Sequence, residues 1–182
     1  MSVTGNKSYF EDFAMGMEFI HRRGRTVMQE ENARWSLQTM NTAQSHWNIE
    51  SMKTYLDGRF QNPIVNAAIV IALSAGLTSA DITANMFADV GLDAIRITTP
   101  VFGGDTLTAR SVVLELADVA NPGHSGRMKY RIVAQNQTGT SVLTMERTVL
   151  IKRRSHWKAR DDAFTRQYWP NAGADVAQGQ QT

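Results

Sequence analysis

Cysteine is absent from all 182 residues, which removes disulfides, thiolate nucleophiles and cysteine–zinc sites together. A cytoplasmic protein is the expectation. No apolar run reaches the roughly 20 residues that a membrane-spanning helix needs, and the first nine residues lack the basic-then-apolar order of a secretory signal. Neither a membrane nor an export route is expected. Charge of one sign is scarce as well: the formal net charge is +2, which gives anions a gentle attraction and nothing stronger. The densest basic clusters, at 21–25 and 152–154, lie far apart in sequence and carry no interleaved aromatics, so they read as solvated strand ends and nucleic acid is not an expected partner. Four histidines without ligand spacing argue against a zinc site and no metal is expected.

What is present centres on residues 62–77. Pro63 restricts the turn before it, Asn66 is placed to cap a helix, and the run from Ala67 to Leu77 is apolar on every face. A helix without a polar stripe has to be wrapped by the rest of its domain, so this one is read as the core. Its start, with the small residues Ala67 and Ala68, leaves backbone amides open to an anion or a developing oxyanion. Apolar and charged fractions of 42% and 20% are those of an ordinary globular chain, long enough for one domain with a real core.

Taken in order, residues 19–27 alternate as a first strand after a turn at Gly16, and 29–40 form a short helix with acidic residues in its first turn. Trp35 and Met40 are read as its buried contacts. A polar loop at 41–48 precedes a brief helix at 49–56 that ends at Asp57-Gly58. Beyond the core helix, residues 78–84 fit either a helical continuation or a loop. Strands follow at 90–98, 106–116, 129–135 and 141–152, with turns at 100–105, 121–126 and 136–139, and the last three strands suit an antiparallel meander. Gly103-Gly104-Asp105 is read as a turn, since a strand and no helix follows it. Periodicity stops beyond Arg154. Trp157, Tyr168 and Trp169 suggest that part of the C-terminal arm packs, and 172–182 reads as a mobile tail. An α+β domain with a curled antiparallel sheet around the long apolar helix satisfies both burial patterns.

The chain resembles the MaoC-like dehydratases, the hot-dog-fold group that includes the (R)-specific enoyl-CoA hydratases. The resemblance rests on Tyr9-Phe10-Glu11-Asp12-Phe13 with Gly16, on Arg25-Thr26, and on the loop ending in His46. It continues through Pro63-Ile64-Val65 into the helix and Pro100-Val101-Phe102-Gly103-Gly104-Asp105-Thr106-Leu107. It implies a single hot-dog domain over 1–155, followed by an arm and tail over 156–182. In that family an Asp and, five residues later, a His hold the water that adds to the double bond of an acyl thioester. Here the His is His46 and the Asp position holds Asn41. The family's Asn-Pro within the loop is Ala43-Gln44, and its His-Gly at the helix start is Asn66-Ala67. An amide cannot take a proton as a carboxylate can. Two alternatives therefore stand: His46 is the sole acid/base, with Asn41 orienting water or substrate, or the site only binds acyl-CoA.

The chemistry needs a base for water, an acid for Cα and donors for the enolate-like oxygen. The expected catalytic residues are His46 and Asn41, and the expected substrate-binding residues are Asn66, Ala67, Ala68 and Gln44. His21, His124 and His156 are assigned to surface or turn positions. The expected activity is a hydro-lyase acting on a short, branched or dicarboxylic acyl-CoA, with no cofactor beyond the coenzyme A of the substrate and with a homodimer or higher homo-oligomer as the assembly. If the basic clusters meet a ligand, the nucleotide end of coenzyme A suits them. A non-catalytic acyl-CoA-binding subunit is one competing reading. A hot-dog thioesterase is the other, although those place an acidic base on or near the core helix and residues 64–77 hold no Asp or Glu.

Overall fold

The computed structural model describes residues 8–119 and 123–168. Along β5 (Ser141–Lys152) every second side chain from Leu143 to Ile151 is buried, and the same period runs through Met128, Tyr130, Ile132 and Ala134 of β4 (Ser125–Gln135). In β3 (Thr106–Asp118) it runs through Leu107, Ala109, Ser111 and Val113. A period of two sets all of these on one face. With β1 (Glu18–Thr26) and β2 (Met86–Ile97) the strands form one antiparallel sheet in the order β1-β3-β4-β5-β2, so the expected meander is present. The sheet does not close: β1 and β2 are its two edges.

The apolar helix is α3 (Ala67–Leu77), and Ile69 and Val70 join the core formed by the inner face of the sheet. It is not wrapped on all sides. Ala68, Ala72 and Gly76 lie exposed, because an open sheet covers only part of a helix and small side chains cost little to leave in water. Past Leu77 the open question at 78–84 resolves as a wide helical turn, Ser79–Thr83, of the π type.

Helix α1 (Gln29–Gln38) reverses the expected burial. Trp35 is 36% exposed and Met40, just beyond the helix, 87%, whereas Asn32 and Ser36 are wholly buried. These two stand four positions apart and share one helical face, which packs against polar backbone at the start of α3. After α2 (Ile49–Met52), shorter than expected, a tight turn at Tyr55–Gly58 places Leu56 and Asp57 at positive φ.

His21 corrects its surface assignment: the ring is 3% exposed on the inner face of β1, with Nδ1 2.7 Å from Asp81 Oδ2 and Nε2 2.9 Å from Ser111 Oγ. The polar cluster His21-Arg22-Arg23-Gly24-Arg25 hid one inward side chain among outward ones. Past β5 the chain enters α4 (Arg154–Tyr168) directly. Its docking is largely polar, which is why apolar periodicity did not reveal it. Asp161 accepts from Tyr9 Oη and from Lys152 Nζ, both at 2.9 Å, and Trp157 Nε1 donates to His124 O at 2.8 Å. Trp157 packs as expected, against Phe87, while Tyr168 is 61% exposed. Trp169 and the tail lie outside the described residues, as does part of the turn at 121–126. Among the described residues no helix is long and apolar enough to cross a membrane.

Candidate active site at the start of helix α3

Residues 64 and 65 run extended between two neighbours: Ile64 N donates to Ser45 O at 2.9 Å and Val65 N to Val101 O at 2.8 Å. This ties the approach to α3 both to the His46 loop and to the segment that leads into β3. Asn66 then caps the helix, its Oδ1 accepting from Ala68 N at 3.0 Å. Ala67 occupies the first helical position, where the N–H has no carbonyl one turn back. That amide has no partner among the described residues.

His46 ends a short helical turn, Gln44–His46, and its ring is half-buried. Nδ1 lies 2.8 Å from Ile64 O. A carbonyl oxygen only accepts, so Nδ1 carries the proton of the neutral ring and Nε2 keeps a lone pair. His46 and Ala67 line one cavity of about 310 Å³, together with Ile64, Val70, Ile97 and Thr98. An apolar cleft with a few convergent polar groups is the usual form of a small-molecule site. A groove of similar size on the outer face of the sheet, about 290 Å³ and lined by Ile20, Arg110 and Arg131, holds no histidine among the described residues.

The structure brings His46 and Ala67 together, with Asn66 buried beneath them as the cap. The Ala68 amide is already taken by that cap. Asn41 and Gln44 do not line the cavity. Asn41 Oδ1 accepts from Ala43 N at 3.1 Å, shaping the loop, and Gln44 Oε1 accepts from Asn48 Nδ2 at 2.6 Å. Two buried polar side chains that bond to this loop and helix start were missed in the sequence, Asn32 and Ser36. Their only signal was a polar pair at helical spacing, which on a surface helix ordinarily faces water.

Around this site the charges are set by local pairs. Glu31, in the first turn of α1, is held down to about 2 by the Arg25 guanidinium and by the Met28 amide. On the far side of α3, Arg147 bonds both carboxylate oxygens of Asp89, keeping that acid below its usual range, while burial raises the Tyr130 phenol.

A family model described as mesaconyl-CoA hydratase matches residues 2–177. A mesaconyl-CoA hydratase of Cereibacter sphaeroides is 32% identical over 146 residues, covering 80% of this chain and 41% of that protein. A beta-methylmalyl-CoA dehydratase of Chloroflexus aurantiacus is 29% identical over 136 residues, 74% of this chain and 37% of that one. Among solved structures, a MaoC domain protein dehydratase from Chloroflexus aurantiacus superposes with a TM-score of 0.75 at 26% identity, over 82% of this chain and 46% of its own. The chain thus spans about two-fifths of the length of the curated relatives it matches.

Proposed function

The chain belongs to the mesaconyl-CoA hydratase family, within the MaoC-like hot-dog proteins, and on that premise we propose that it is a hydro-lyase. It adds water across, or removes it from, the α,β-bond of an acyl-CoA whose acyl group is short, branched or dicarboxylic. His46 Nε2 takes a proton from water as the oxygen bonds to Cβ, and the same imidazolium returns a proton to Cα. Electron density passes to the thioester oxygen, where the Ala67 N–H donates. Proton transfer and oxyanion donation meet the needs of this step, so coenzyme A enters as part of the substrate and no further cofactor is invoked. Asn41 acts by shaping the loop that carries His46.

The observation that supports this most strongly is that one cavity is lined both by His46, whose imidazole is fixed through Nδ1, and by Ala67, whose helix-start amide has no partner among the described residues. Purified protein mixed with mesaconyl-CoA and with crotonyl-CoA, followed by loss of the enoyl absorbance, tests it. Hydration without free thiol is the expected result. Thiol release would favour a thioesterase, and a ligand-induced thermal shift without turnover would favour the binding subunit that Asn41 otherwise suits.

The assembly proposed is two hot-dog units joined along β2, in a cytoplasmic homodimer or higher homo-oligomer. This edge has open backbone groups and exposes Phe87 (50%), Val90 (56%), Leu92 (42%) and Ile97 (43%). A bare apolar edge invites a partner strand. Ile97 and Thr98 also wall the cavity, so a second unit there would narrow its mouth. Light scattering at micromolar concentration checks this, and a monomer would overturn it.

A further inference from the structure

Asn32 is wholly buried, yet every polar atom of its amide is engaged with the site. Nδ2 donates to His46 O at 2.7 Å and to Ile64 O at 3.1 Å, while Oδ1 accepts from Asn66 N at 2.9 Å. One side chain therefore grips three points. The first is the backbone of the residue that bears the imidazole. The second is the carbonyl that receives the imidazole Nδ1–H. The third is the residue whose carbonyl leads directly into the Ala67 amide. Ser36, one turn along the same face, lies 3.4 Å from Asn66 Nδ2 and extends the contact.

We infer that Asn32 is a positioning residue that sets the His46 base and the Ala67 oxyanion donor at a fixed separation and holds His46 in its Nδ1–H tautomer. The inference rests on the hydro-lyase reading for its consequence in turnover, and on geometry alone for the tautomer. Only an amide does this in place. A carboxylate of the same shape keeps the bond from Asn66 N, but turns an acceptor toward the carbonyls of His46 and Ile64. A hydroxyl at Asn32→Ser is too short to span all three points. Gln29 Nε2 also donates to His46 O, at 3.1 Å, and keeps the loop attached when Asn32 changes. Loss of registry without loss of the loop is then the expected phenotype, and a misplacement near one ångström costs on the order of a hundredfold in rate.

The test combines kinetics with ring-nitrogen NMR of ¹⁵N-histidine-labelled protein. In the wild type, the neutral His46 ring is expected to show a protonated Nδ1 and an unprotonated Nε2. A predominant Nε2–H tautomer would overturn the inference before any variant is made. Asn32→Asp and Asn32→Ser, assayed on the folded fraction, are expected to lose kcat by about thirtyfold or more with KM within about threefold, and to show mixed tautomers. Asn32→Asp should regain part of its kcat toward low pH, relative to wild type, as the new acid takes up a proton and can donate again. A folded variant with wild-type kcat and an unchanged tautomer would refute the role. If the wild type hydrates no enoyl-CoA, the functional reading fails instead, and the tautomer comparison still decides the positioning claim.

Discussion

His46 and His21 lie toward opposite ends of α3 and stand in opposite states. His46 is half-buried beside a cavity, fixed through one ring nitrogen to Ile64 O, and its other ring nitrogen has no partner among the described residues. His21 is buried and both of its nitrogens are engaged, by Asp81 beyond the C-terminal end of the helix and by Ser111 on β3. The difference separates a group that can exchange a proton with a ligand from one that ties elements together. Asp81, His21 and Ser111 have the order of a nucleophile triad, but Ser111 is 4% exposed on the inner face and offers no oxygen to a substrate. Geometry of access, more than residue type, assigns the roles.

The largest expected effect is on the open histidine. His46→Ala should lower turnover by on the order of a hundredfold or more with little change in melting, since a partly exposed loop ring contributes little packing. Next, Ala67→Pro removes the proposed oxyanion donor while suiting the first helical position, and turnover should fall by on the order of ten- to a hundredfold in a folded protein. Normal turnover there would move the oxyanion site elsewhere. The closed histidine should respond in stability: His21→Ala leaves a cavity and an unpaired Ser111, costing about 2–4 kcal/mol in denaturant unfolding.

Asn41 sharpens the contrast from the loop side. Asn41→Ala, which removes the Oδ1 contact to Ala43 N, should cost about tenfold in turnover. Asn41→Asp keeps that contact from a position outside the cavity, and should leave turnover of both crotonyl-CoA and mesaconyl-CoA within a few-fold of wild type. Equal losses in Asn41→Ala and His46→Ala would refute the division of labour. The smallest effect belongs to Glu31→Gln. Its folded pKa of about 2 lies below the ordinary 4.5, so the bridge to Arg25 contributes above about pH 4.5 and is lost as pH falls toward 2. Both partners are close to half-exposed, so the wild-type advantage at neutral pH should be at most a few tenths of a kcal/mol. It should vanish when urea unfolding is repeated near pH 2.

The sheet was legible because inward and outward side chains alternate without exception along most of β3, β4 and β5. The core helix was legible because eleven consecutive residues, Ala67–Leu77, carry one hydroxyl and no charge. Its bare face was not, since the extent of sheet around a helix is a tertiary property. The proposed site was half legible. His46 and Ala67 followed from the family resemblance and from helix-start physics. Asn32 and Ser36 did not, because burial of polar side chains on α1 is decided by orphan backbone groups contributed from residues 46, 64 and 66, remote in sequence. His21 escaped for the same reason: its partners lie 60 and 90 positions away.

The most direct test measures two quantities on the same two variants: the rate of water addition to mesaconyl-CoA per folded molecule, and the melting temperature. His46→Ala should lose turnover and keep its melting, whereas His21→Ala should lose several degrees of melting and keep turnover within a few-fold of wild type. A crossed pattern of this kind is what a proton-transfer histidine beside a structural one requires. Loss of turnover in His21→Ala equal to or greater than that in His46→Ala, with both proteins folded, would contradict it.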